Sequence, residues 1–120
     1  MRQSPDIEQK PLVVTTSQDA DGLRWAVRSW ATRIDVILAR VQIRPIQTKW
    51  ASISTTGRMS LGSVLLTLPK ELREPIIVHE LVHLLVPNHG KVFKSFMHAY
   101  LPDWETREKQ LQMQYAKTMS

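Results

Sequence analysis

The segment His79-Glu80-Leu81-Val82-His83, with His89 six residues beyond it, constrains this chain more than anything else in its 120 residues. Two histidines four apart on a helix lie one above the other on a single face, with Cβ atoms roughly 6 Å apart. That spacing lets both imidazoles reach one Zn2+ at about 2.0–2.1 Å. Glu80 points about 100° further round the helix, where it can serve as general base toward a water without ligating the ion. From Pro75 to Val86 the chain reads PIIVHELVHLLV, apolar apart from those three side chains. A helix apolar on every face is buried, and burying a Glu and two imidazoles without partners costs several kcal/mol. A metal and its water supply partners. The competing reading, two core histidines bonded to backbone with Glu80 in solvent, suits one histidine better than the whole pattern.

His89 is the third candidate ligand. Pro87 lacks an N–H and disfavours helical geometry in the residue before it, so the helix is expected to stop at Val86. Asn88-His89-Gly90 then reads as a turn that swings His89 back toward the other two. The interval from His83 to His89 equals that of the H-E-x-x-H-x-x-G-x-x-H metalloproteases, with Val86 where those carry glycine. The alternative for His89 is a solvent-facing residue at a helix end. Asp103, Glu105 and Glu108 are then the rival ligands, and His98 lies on a helix beyond the site. The chain has no cysteine, which excludes disulfides and thiolate ligands and leaves imidazole and carboxylate.

From about Trp30 to Leu111 the chain resembles the YgjP-like metallopeptidase domains, relatives of the SprT-like and WLM zinc peptidases. The residues that carry the likeness are Val41-Gln42-Ile43-Arg44, Lys49-Trp50-Ala51-Ser52, Gly57 to Pro69, HELVHLL, Pro87-Asn88-His89, Phe93, Leu101-Pro102-Asp103-Trp104 and Arg107. The resemblance implies a zinc-dependent peptidase built on the HExxH helix. Departures fall on the strand that similar enzymes place along the cleft. Ala51-Ser52-Ile53 stands for Gly-Ser-Cys, Gly62 for a common Asn, and Ser63 for an aromatic. The family's long N-terminal β-rich region has no counterpart here, so the likeness is to the catalytic half.

The elements expected along the chain make an α+β domain of minimal zincin type, with a small antiparallel or mixed sheet. Residues 1–11 are polar and read as a flexible tail, and residues 12–120 as one domain. Leu12 to Thr16 reads as a strand. Asp19 to Gly22 opens a helix whose apolar stripe, Leu23, Val27, Trp30, Ile34, Ile37 and Val41, recurs at helical spacing. Val41 to Ile46 and Met59 to Leu68 follow as strands, with a turn ending at Gly57. Pro75 suits the first turn of the metal helix, and Asp103 an N-cap for the last helix.

No apolar run approaches the 18–20 residues of a membrane span, and MRQSPDIEQKP lacks the apolar centre of a secretory signal. A cytoplasmic monomer is the expectation. Net charge is +5, with Arg24, Arg28, Arg33, Arg40 and Arg44 as the densest basic group. Those five are either the solvated face of an amphipathic helix and its neighbour strand or a weak nucleic-acid contact.

The expected activity is hydrolysis of peptide bonds in a peptide or protein substrate. Three neutral imidazoles leave an open fourth position for a water, whose proton Glu80 accepts and passes to the leaving group. Tyr100, His98 and Arg107 are candidates to steady the oxyanion, and an extended substrate could pair with the edge of the Met59–Leu66 strand. Two rivals remain open. One is a hydrolase of a non-peptide anion such as a nucleoside triphosphate. The other is a nucleic-acid-associated, SprT-like protease or binding module.

Overall fold

The computed structural model describes residues 17–115. The expected tail and the expected strand over Leu12 to Thr16 lie outside the described residues. Helix α1 spans Ser17–Ile34 and buries Leu23, Val27, Trp30, Ala31 and Ile34 along one stripe. It stops seven residues short of the expected Val41 because Asp35 takes the left-handed conformation, at φ 67°. Asp35 N–H donates to Thr32 O at 3.2 Å and Val36 N–H to Ala31 O at 3.0 Å. Those two bonds form a Schellman motif, which satisfies carbonyls that the helix end would otherwise leave unpaired. Ile37, expected on the stripe, is 88% exposed.

Three short strands follow: β1 Arg40–Arg44, β2 Ala51–Ile53 and β3 Arg58–Gly62. They pair in the order β1-β3-β2, with β1 parallel and β2 antiparallel to β3. The sheet is therefore mixed. The β2–β3 turn needs Gly57, whose φ is +85° and whose missing Cβ would sit 2.7 Å from Ile37 O. Its carbonyl accepts the amide of Ala39 at 2.8 Å, which docks the start of β1 onto the turn. Gly62, where similar enzymes carry Asn, lies against Trp50 O, 2.9 Å from where a Cβ would be. A side chain at this position would need the two backbones to move apart.

Two strand expectations need correction. The Met59–Leu68 strand ends at Gly62, and Ser63–Thr67 forms a 3-10 turn instead. Strand β3 is also central, so its edge is not open to a substrate. Parallel pairing with β1, between residues 18 apart (Val41 with Met59), fills the side that local pattern left vacant. Among the described residues, β2 is the outer strand of the sheet that packs against α2.

Helix α2, Lys70–Val82, is the axis of the core, and every residue from Pro75 to Val82 is buried. It begins before the expected Pro75, which sits inside the helix rather than in its first turn. Proline there deletes the amide that would bond to Glu71 O. Arg107, from the last helix, supplies the missing donor: its Nη1 lies 3.2 Å from Glu71 O and 2.9 Å from Glu74 Oε1. Arg73 works similarly at the helix start, donating to Leu68 O at 3.0 Å and Leu66 O at 2.9 Å. Helix α3, Lys91–Tyr100, and helix α4, Trp104–Tyr115, close the core over α2 through Phe93, Met97, Trp104 and Leu111. Asp103 occupies the position before α4, but its carboxylate takes Arg107 Nε at 3.0 Å. That hydrogen bond is the main cause holding the Asp103 carboxyl below the usual range. The fold is α+β: among the described residues, four helices and a small three-stranded mixed sheet.

Candidate metal centre

Helix α2 carries His79, 5% exposed, and Glu80, 2% exposed, into the interior. It ends at Val82, four residues before the expected Val86, and His83 is its C-cap with φ −62° and ψ −20°. The last turn tightens to i→i+3 bonds, Leu84 N–H to Leu81 O at 3.0 Å and Leu85 N–H to Val82 O at 2.8 Å. Because His83 keeps helical dihedrals, its ring still stands over that of His79, with centroids 5.0 Å apart. Pro87 and Asn88 then reverse the chain. Asn88 Oδ1 accepts the Gly90 amide at 3.1 Å, and Gly90 O accepts the Lys94 amide at 3.1 Å as α3 begins. That turn delivers His89 to the other two rings.

The three rings meet through one kind of atom. His89 Nε2 lies 3.2 Å from His79 Nε2 and 2.9 Å from His83 Nε2. The outer nitrogens of His79 and His83 are committed elsewhere. His83 Nδ1 is 3.1 Å from Val86 O, and a carbonyl can only accept, so Nδ1 carries the proton and Nε2 the lone pair. His79 Nδ1 faces Glu108 Oε2 at 3.3 Å, which assigns the same tautomer by the same argument. The lone pairs of His79 and His83 Nε2 thus face His89 Nε2, and the three atoms can share one cation when His89 also turns its lone pair inward. Ligands of a tetrahedral Zn2+ at about 2.0–2.1 Å are roughly 3.3–3.4 Å apart. The observed separations of 2.9 and 3.2 Å lie close to that edge length. The donor set therefore fits a small divalent ion. Phe93, 2% exposed, underlies all three rings, with centroid distances of 5.0 Å to His79, 5.0 Å to His83 and 4.9 Å to His89.

The rival ligands lie elsewhere. Asp103 is paired with Arg107, Glu105 is 3.8 Å from His98, and Glu108 meets the outer nitrogen of His79 rather than the convergence point. The side chains considered for oxyanion contact are also engaged away from the cleft. Tyr100 packs edge-on against Trp30 and stacks on Phe96, His98 is beside Trp104, and Arg107 braces α2. Of the arginine group, Arg24 pairs with Asp21 at 3.4 Å and Arg33 lies 4.1 Å over the Trp30 ring. Arg40 and Arg44 stand exposed at the two ends of β1.

A cleft of about 340 Å3 opens beside the histidines, lined by Glu80, His83 and His89 together with Lys49, Ser52 and Thr55. Sequence reasoning missed three members of this neighbourhood: Glu108 as a partner of His79, Phe93 as the floor, and Lys49 in the cleft. For Glu108 a signal existed, since it is four residues after Trp104 and three before Leu111, both buried. That spacing puts it on the inward face of α4.

The model of the YgjP-like metallopeptidase domain matches residues 11–114. The fold is similar to the crystal structure of the metallopeptidase zymogen abylysin of Pyrococcus abyssi, with TM-score 0.72 and 21% identity over 82% of this chain and 99% of that one. The metallopeptidase zymogen jannalysin of Methanocaldococcus jannaschii aligns with TM-score 0.68 and 23% identity, over 76% of this chain and 94% of that one. No curated protein matches.

Proposed function

This chain belongs to the YgjP-like metallopeptidase family, and from that premise we propose that it cleaves peptide bonds with one zinc ion held by His79, His83 and His89. The observation that carries this reading is the convergence of three Nε2 atoms, with those of His83 and His89 2.9 Å apart and the Nδ1 atoms of His79 and His83 committed to acceptors. When bound, zinc supplies Lewis acidity toward a water and the scissile carbonyl. Glu80 lines the same cleft and is the general base, its carboxylate oxygen taking the water proton and returning it to the leaving amine. No helix among the described residues is long and apolar enough to cross a membrane. The absence of cysteine supports a cytoplasmic setting, since nothing in the fold draws on an oxidising compartment.

The test is hydrolysis of casein and of a nucleoside triphosphate by the purified chain. Both solved neighbours are described as zymogens, so each assay is run before and after limited proteolysis. Casein is expected to be cut, chelation to stop cleavage and added zinc to restore it, with the nucleotide left intact. Nucleotide hydrolysis with intact casein would replace the reading.

Glu108 is a positioning residue in this scheme. Its carboxylate accepts the His79 Nδ1 proton, which fixes the ring and raises the basicity of Nε2. Glu108→Gln is expected to weaken zinc binding about 10–100-fold, measured by competition with a chelating dye. An unchanged affinity would reduce the contact to packing.

A further inference from the structure

Lys49 is a cation in the cleft with no assigned task. It lies just before β2, is half-buried, and lines the same cleft as Glu80, His83 and His89. No acidic side chain pairs with it among the described residues. The one carboxylate that lines the cleft is Glu80. On the zinc reading, a divalent ion among three neutral imidazoles outweighs that carboxylate, so the cleft is positive before Lys49 is counted. An ammonium beside such a centre adds to its attraction for an anion that enters the cleft. Ser52 and Thr55 line the same cleft, and their hydroxyls are of a type that can donate to an anion.

We propose that Lys49 is a specificity-determining residue that receives a carboxylate of the substrate, so that this peptidase prefers acidic peptides. The proposal rests on the peptidase reading and extends it to a substrate class. The carboxylate could come from an Asp or Glu side chain or from a free peptide C-terminus, and the chemistry at Lys49 is the same in both. Glu80 has a separate part, because its proton transfer is needed for any peptide. Lys49 therefore affects the choice among substrates rather than the bond-breaking step.

The experiment uses fluorescein-labelled decapeptides that differ at one site, Glu against Gln, each made with a free acid or an amide C-terminus. Cleavage by the wild-type chain is measured alongside binding to the Glu80→Gln protein by fluorescence anisotropy. The Glu or free-acid peptide is expected to be preferred roughly fivefold, the scale of a partly exposed ion pair. A preference that follows the internal Glu identifies a side-chain subsite, and one that follows the free acid identifies a C-terminal subsite. Lys49→Met is expected to remove the preference, Lys49→Arg to keep it, and Lys49→Glu to turn it toward a Lys-containing peptide. Equal handling of all peptides by wild type and Lys49→Met would overturn the proposal. So would a uniform loss across peptides in Lys49→Met, which would place the ammonium on the reacting carbonyl. If no peptide is cut, the peptidase reading fails, and the anisotropy series still decides whether Lys49 selects carboxylates.

Discussion

Glu80→Gln is expected to reduce kcat/KM on casein-derived peptides by about 10²–10⁴-fold, the usual contribution of a positioned general base. The substitution preserves shape and hydrogen-bonding reach, so the buried side chain, 2% exposed, keeps its place at the cleft. It removes only the ability to take a proton at neutral pH. Zinc content should remain near one per chain, because Glu80 lies off the line of His79 and His83 on α2 and contributes no ligand. The melting temperature should not fall, since an amide costs less to bury than a carboxylate. Full activity in this variant would remove Glu80 from the mechanism. Loss of metal together with activity would make it a ligand.

The meeting of His79, His83 and His89 was legible because the signals for it are local. Spacing alone puts His79 and His83 on one face, and Pro87-Asn88 announces the turn that carries His89. What was not legible depends on contacts between residues far apart in the chain. Pro75 inside α2 looks like a helix start until Arg107, 36 residues from Glu71, is seen to serve the carbonyl that the proline leaves unpaired. The open edge of β3 looked available because the parallel partner β1 is separated from it by all of β2. Ile37 and Val41 continue the helical period of α1 perfectly well. Period could not reveal that Asp35 would terminate the helix in a left-handed cap. Glu108 was weighed as a ligand, and its place on the outer nitrogen of His79 was set by the packing of α4 against α2. In each case the chain satisfied a backbone group or a buried polar atom with a partner that sequence pattern does not encode.

Removing the metal is expected to lower the melting temperature by roughly 10 °C. A ligand that binds only the folded state stabilises it by about 2.7 kcal/mol at a hundredfold excess over Kd. For a domain of about 100 residues, each kcal/mol corresponds to about 4–8 °C, so 10 °C is a conservative reading. The structural reason is the ring cluster over Phe93. Without a cation, the Nε2 atoms of His79 and His83, 3.2 and 2.9 Å from His89 Nε2, lose the charge that draws the three lone pairs together, and His79 is too deeply buried to turn toward water. The rings then splay, which disturbs the α2–α3 packing through Phe93. The measurement is a thermal melt of zinc-loaded and chelated protein, with metal content determined on both samples. His79→Ala should melt near the chelated wild type and gain nothing from added zinc. His89→Ala should also lose the zinc response, with less damage to the metal-free fold, because His89 is exposed and stands on a turn. Should loaded and chelated samples melt together with removal verified, the metal would be purely catalytic. The bonds from His79 to Glu108 and from His83 to Val86 O would then be sufficient to hold the site open.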